Sequence, residues 1–303
     1  MKLKFIKPFS SFLKSDSGVS VAVAAALLLG IVVLFITNIQ VYHVPQWKED
    51  AEYSHMSEVY EDMSRLKCNI DLLSLGMVVS PNSEVILNSP LRMGGGNLPV
   101  VNRMKSGGTL VFNKDKCNLS AFITYNNSTS KNIPLTGSLE CGALSYRADN
   151  SQYLDQIYCY ENGALIVSQG NQSFMKLSPG ITLEKGGGFL NLSVNAVCLA
   201  GSNWVLSSNS VEDLRLVSLS REHQYDVTGL ESFYNTTSVS LTIFTDYPEA
   251  WKTYFETQAK NENLWSSDYN LSSNSSAVVL RLTPVSDDLN VKVYNSLISV
   301  EAL

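Results

Sequence analysis
Charge, histidine and clustered cysteine are all scarce in this chain, and each shortage removes a class of function. Charged residues fill 17% of the 303 positions, and the basic ones form no stripe able to neutralise phosphates, so nucleic acid is not an expected partner. Cys68, Cys117, Cys141, Cys159 and Cys198 include no Cys-x-x-Cys and none at zinc-ligand spacing to a histidine, so no metal is expected. His43 and His55 lie in the N-terminal quarter, which leaves His223 for any Ser-His-Asp arrangement, and no Gly-x-Ser-x-Gly elbow supplies its nucleophile. His223, beside Arg221 and Glu222, reads as a solvated strand end. The glycine groups Gly94-Gly95-Gly96, Gly107-Gly108 and Gly186-Gly187-Gly188 lack both the dinucleotide fingerprint and a following Gly-Lys-Ser/Thr, so they read as turns and no cofactor is expected. Glu212/Asp213 and Asp287/Asp288 offer carboxylate pairs, but glycosidase chemistry needs the two opposed across a substrate, and neighbours on a strand point to opposite faces. A surface glycan-acting enzyme is therefore the remote alternative. No catalytic residue is assigned, and the chain is not expected to be an enzyme.

What is present is one long apolar run and a large polar remainder. The length suits one large domain or two modest ones. A net charge of −6, with polarity supplied mainly by Ser, Asn, Thr and Tyr, suits a displayed surface. Residues 19–41 read VSVAVAAALLLGIVVLFITNIQV with no formal charge. At ~1.5 Å of rise per residue a helix of ~20 such residues crosses a ~30 Å hydrocarbon core, so this segment predicts a transmembrane helix over 19–44. Lys2, Lys4, Lys7 and Lys14 precede it, which predicts a cytoplasmic N-terminus, a single pass through the cell membrane and an extracellular remainder. The run ends in Phe35-Ile36-Thr37-Asn38-Ile39 and not in an Ala-x-Ala-like site, which argues against an ordinary cleaved signal peptide.

The lysine-rich leader 1–18, the Gly18-Val19 step and the apolar helix that follows resemble the class III signal peptide of archaeal type IV pilin-like and archaellin-like proteins. That resemblance implies cleavage by a prepilin peptidase between Gly18 and Val19, and partners that include the lipid bilayer, further copies of the chain and other pilin-like subunits. The helix departs from the family in having no glutamate between Val19 and Ile36, the residue that registers subunits in many such filaments.

Beyond the apolar run, Pro45 removes a backbone donor and disfavours helical geometry at Val44, which predicts a kink or break there. Met56, Val59, Met63, Leu66, Ile70, Leu73 and Met77 then recur at spacings of three and four, predicting an amphipathic stalk helix over 45–80 with one narrow apolar seam. Two readings stand open: the seam packs on the protein's own head, or it pairs with neighbouring subunits as a coiled coil.

The head, 81–303, alternates β-rich runs with turn clusters. Strands are expected at 110–112, 121–125, 164–167, 189–199, 214–219, 239–244, 277–282 and 291–300, which predicts an α+β, mostly β fold with antiparallel sheet, a sandwich or a wrapped meander. One internal helix is expected over 248–260, capped by Asp246, with Pro248 in its first turn and Trp251, Tyr254 and Phe255 on its buried face. Residues 266–276 read as an exposed loop. Segments 158–170 and 246–251 resemble stretches of uncharacterised archaeal pilin-like membrane proteins, a resemblance that implies architecture and surface display but no activity.

Asn118, Asn126, Asn127, Asn171, Asn191, Asn235, Asn270 and Asn274 each begin an Asn-x-Ser/Thr sequon. On an exported head a subset would meet N-glycosylation machinery, with Asn126, Asn235, Asn270 and Asn274 favoured by loop-like context and Asn191 disfavoured by its strand. The cysteines admit one or two disulfides outside the cell, with an odd thiol free or paired between chains, or five small buried hydrophobes in a reducing habitat. The expected function is a pilin-like, membrane-anchored surface protein, a subunit of an extracellular filament. The alternative is an unprocessed single-pass adhesin or envelope scaffold.

Overall fold
A computed structural model describes residues 16–95, 107–115, 117–125, 131–134, 138–227 and 236–303. Helix α1 (Asp16–Asn38) passes through a π turn (Ile39–His43) into α2 (Val44–Val79), one uninterrupted helical path. Pro45 therefore does not end the helix. The wide turn accounts for this: the Val44 N–H bonds to the Ile39 carbonyl, and Pro45 then falls in the first turn of α2, where an N–H is not needed. α2 stops at Ser80, whose N–H returns to the Gly76 carbonyl, just before Pro81.

The head begins with β1 (Ile86–Arg92), β2 (Gly108–Phe112), β3 (Cys117–Tyr125), β4 (Lys131–Pro134), β5 (Leu139–Glu140) and β6 (Ala143–Ala148). Hairpins follow: β7 (Gln156–Glu161) with β8 (Ala164–Gln169), β9 (Gln172–Leu177), then β10 (Ile181–Gly186) with β11 (Phe189–Ala200). β12 (Trp204–Ser208), β13 (Val211–Val227) and β14 (Thr236–Thr245) lead to α3 (Pro248–Asn261), and β15 (Tyr269–Ser273), β16 (Ala277–Leu282) and β17 (Asp288–Ala302) close the chain. Every expected strand falls within one of these, and α3 matches the expected internal helix.

The strands assemble into three sheets and not the two of a sandwich. The first runs β1-β13-β17-β11-β10, the second β12-β2-β6-β7-β8-β9, and the third β15-β16-β14-β3-β4 with β5 also on β3. Among the described residues, pairing is antiparallel except between β11 and β17, which run parallel. The chain between those two builds β12 to β16 and α3, the long crossover that parallel pairing requires.

Period-two alternation explains how the sheets share two cores. In β7 and β8, Tyr158, Tyr160, Leu165 and Val167 face the core under α2, while Cys159, Ala164 and Ile166 face the core that holds α3. β11 does the same with Val197 and Leu199 on one side and Val194 and Cys198 on the other. The second core is closed by Trp251, Tyr254 and Phe255, the expected face of α3, although its N-cap is Tyr247 and not Asp246. Residues 266–276 are not all loop, since β15 lies within them.

Candidate functional site
The feature with functional content is the long helix and the way it meets the head. α1 carries Val, Ala, Leu and Ile on every side, and none of its apolar window is buried by the other described residues. It is long and apolar enough to cross a membrane. Where it ends, Tyr42 and Trp47 stand exposed, with His43 stacked on Trp47 at 6.0 Å between ring centroids.

α2 is different on its two sides. Met56, Val59, Met63, Leu66, Ile70, Leu73 and Met77, the predicted seam, are all buried against the first and second sheets. At about 1.5–3 kcal/mol gross for each fully buried aliphatic side chain, the seam contributes roughly 10–20 kcal/mol before ordering costs. From Glu52 onward the helix is therefore part of the head and not a free stalk.

Polar clamps fix this docking at each level. The Glu52 carboxylate accepts the backbone N–H groups of Ser151, Gln152 and Tyr153 at 2.7–2.9 Å and the Ser151 hydroxyl at 2.8 Å. Burial alone would raise its pKa, but these donors hold it below the usual carboxylate value. One turn on, the Tyr146 hydroxyl donates to the Met93 carbonyl at 2.9 Å, so His55 Nε2, also 2.9 Å away, must donate to Tyr146. Burial lowers the pKa of His55, in keeping with a neutral ring. Gly95 and Gly108 are here because a Cβ on either would run into His55 or Tyr146, so they are sites of close approach and not turns. Gly187 and Gly188, at φ +64° and +83°, do form a turn, between β10 and β11.

Farther along α2, Asp62 takes the Arg92 guanidinium on both carboxylate oxygens. Near the helix end Arg221 donates to Ser296 Oγ at 3.0 Å and Asn195 Oδ1 at 2.8 Å, reaches Ser74 at 3.4 Å, and lies over the Tyr294 ring. Arg221 is thus half-buried and built into the joint. His223 lies inside β13 opposite Tyr294 and not at a strand end.

The outer side of α2 carries a second stripe that sequence reasoning missed. Cys68, Leu72, Leu75 and Val79 are spaced by four, three and four, and all are exposed, with Leu75 at 64% and Val79 at 86%. The signal was available as a second apolar period, masked by the stronger seam.

Among the remaining candidates, the Gly18-Val19 step falls in the first turn of α1. Asn126, Asn127 and Asn235 lie outside the described residues. Asn171 and Asn274 are exposed at the rim of one cleft of about 540 Å³, and Asn270 is exposed on the edge strand β15 instead of in a loop. Asn191 is held in β11, where its Oδ1 accepts from Asn290 Nδ2 at 2.9 Å, and Asn118 lies in β3 between β14 and β5. Glu212 accepts from Ser208 and Ser210, while Asp287 joins Asp268 on Lys185.

Glu161 was not singled out by sequence. It ends β7 at the Asn162-Gly163 turn, where φ is +44° and +79°, and its Oε1 accepts from Thr245 at 2.6 Å and Trp251 Nε1 at 2.5 Å. Burial, and less strongly Asp246 and Asp115, push its pKa up to about 7 against those two hydrogen bonds. The carboxylate ties β7 to β14 and α3, that is, the second sheet to the third. Among the described residues no group of His, Cys, Asp and Glu is arranged to hold a metal.

No curated protein and no solved structure matches this chain. Over residues 18–298 it matches a family of unknown function, DUF7289, and the chain belongs to that family.

Proposed function
We propose that this chain is a pilin-like, membrane-anchored surface protein whose β head is displayed outside the cell on a helix that begins in the membrane. The observation that carries the reading is the single helical path from Val21 to Val79, exposed and apolar along its first part and buried against the head along one face of its second. Only lipid, or the apolar helices of neighbouring copies, can cover α1 without leaving its side chains in water. The lysines before it orient the N-terminus toward the cytoplasm, and Tyr42 and Trp47 suit the headgroup layer at the outer end.

In the filament form of this reading the leader is removed after Gly18, and α1 bundles with its equivalents. The outer stripe of α2 supports that form, since it offers neighbouring subunits an apolar face beside the anchor. A second reading, a permanent single-pass adhesin or envelope scaffold, draws on the absence of any acidic residue between Val19 and Ile36. N-terminal sequencing and intact mass of the deglycosylated protein from its native membrane separate the two. A start at Val19 supports processing; a start at Met1 sinks it and leaves the permanent anchor.

A further inference from the structure
We propose that Cys141 and Cys198 form a disulfide that ties the first sheet to the corner entering the second. This rests on the proposed export of the head, because a reducing compartment would keep both thiols reduced.

The geometry is specific. The two sulfurs are 3.6 Å apart and both are buried. Cys198 lies in β11 of the first sheet, and Cys141 sits at the corner between β5 and β6, with Cys117 of the third sheet beside it. The corner is not a mobile loop. The Cys141 N–H donates to the Cys117 carbonyl at 2.8 Å, its carbonyl accepts from Leu199 N–H at 2.8 Å, and Ala143 and Asn113 exchange backbone and side-chain bonds around it. Gly142, at φ +65°, follows because a Cβ there would meet Asn113 Oδ1 and the Leu199 carbonyl. The backbone thus holds the sulfurs in contact, and small rotations about the two side chains close the bond.

Formation is a two-electron oxidation by a disulfide carrier, a small molecule or a carrier protein. One cysteine thiolate attacks the carrier's S–S bond and releases one carrier thiol. The second then displaces the mixed disulfide, releasing the other carrier thiol, which balances the two protons and two electrons lost. In the finished fold the neighbouring thiols, and then burial, disfavour the thiolate, so the bond forms as β11 and the corner come together. It then closes a covalent loop around β6 to β10 and adds a covalent tie to the backbone hydrogen bond from Leu199 that already joins β11 to this corner.

The test uses the full chain taken from its native membrane without reductant, denatured in N-ethylmaleimide, digested and mapped by mass. The expected result is loss of alkylation at Cys141 and Cys198, with their peptides joined until reductant is added, and alkylated Cys117 and Cys159. Alkylation of all four, or a Cys117–Cys141 link, overturns the proposal. In parallel the reduced, denatured chain is refolded in detergent with oxidised and reduced glutathione. A link that forms there but not in the native protein overturns the export on which it rests while the geometry stands; no link in either overturns the geometry. Reductant should lower the melting midpoint of the oxidised wild type and leave Cys198→Ala unmoved.

Discussion
Arg92 on β1 grips Asp62 on α2 as a fork, with Nε 2.8 Å from Oδ2 and Nη2 2.9 Å from Oδ1. The Arg92 backbone N–H adds a third bond to Oδ2 at 3.0 Å. Asp62 is almost wholly buried, and Arg92 is its nearest cation, with Arg65 more distant at 3.7 Å. The fork is what turns a greasy contact between helix and head into one with a defined register along the helix.

Removing Arg92 should therefore cost more than an exposed ion pair is worth. Arg92→Ala leaves the Asp62 carboxylate short of donors, and a loss of about 2–3 kcal/mol is expected. Urea unfolding of the full chain in detergent reads it as a lower midpoint at unchanged slope. A shift within error of wild type would show that the fork adds nothing to the docking of α2.

The two faces of α2 should respond oppositely. Leu66→Ala opens a cavity beneath the helix and is expected to cost about 2–5 kcal/mol, whereas Leu72→Ala on the outer stripe should change stability by no more than about 0.5 kcal/mol. Equal effects in the same unfolding experiment would mean that the outer face is covered within a single chain.

If neighbouring subunits use the outer stripe, Leu75→Asp should leave the melting midpoint near that of wild type and abolish filaments seen by electron microscopy in cells. Filaments of normal abundance in that variant would remove the outer stripe from the assembly.

Glu161 gives the fold a pH dependence whose sign follows from its environment. Its pKa is raised from 4.5 to about 7 on folding, so below about 4.5 the group is neutral in both states and costs nothing. As pH rises from there to about 7, the unfolded chain ionises freely while the folded one resists, and stability falls until it levels off. The full penalty is on the order of 3 kcal/mol at about 1.4 kcal/mol per pKa unit. Asp115, Asp246, Cys159, Tyr247 and Arg147 face the same region and are common to both proteins compared, so Glu161→Gln should melt close to wild type at pH 4.5 and above it at pH 8. A gap that stays constant across that range would mean that Glu161 does not titrate there.

Much of this architecture was legible in the residues. The uncharged run marked α1, the spacing of Met56 to Met77 marked the seam, and Pro248 with Trp251 and Phe255 marked α3 and its buried face. Strands with strong alternation, such as β11 and β17, were visible, as was the apolar run of β8; β6 and β7 were not, because the buried Ser145, Gln156 and Glu161 interrupt their apolar residues without marking a solvent face. Pro45 was read from its ring alone, and the π turn that accommodates it has no signature in residue types.

The sequence by itself determined that this chain has an apolar helix long enough for a bilayer, an amphipathic continuation and a β-rich remainder, since hydropathy and period are properties of neighbours in the chain. Only the tertiary structure decided that the seam belongs to the head, that the described strands form three sheets with β11 and β17 parallel, and that Cys141 meets Cys198 while Glu161 meets Thr245 and Trp251. Those contacts join residues far apart in sequence, and their partners are set by which faces the whole fold must cover.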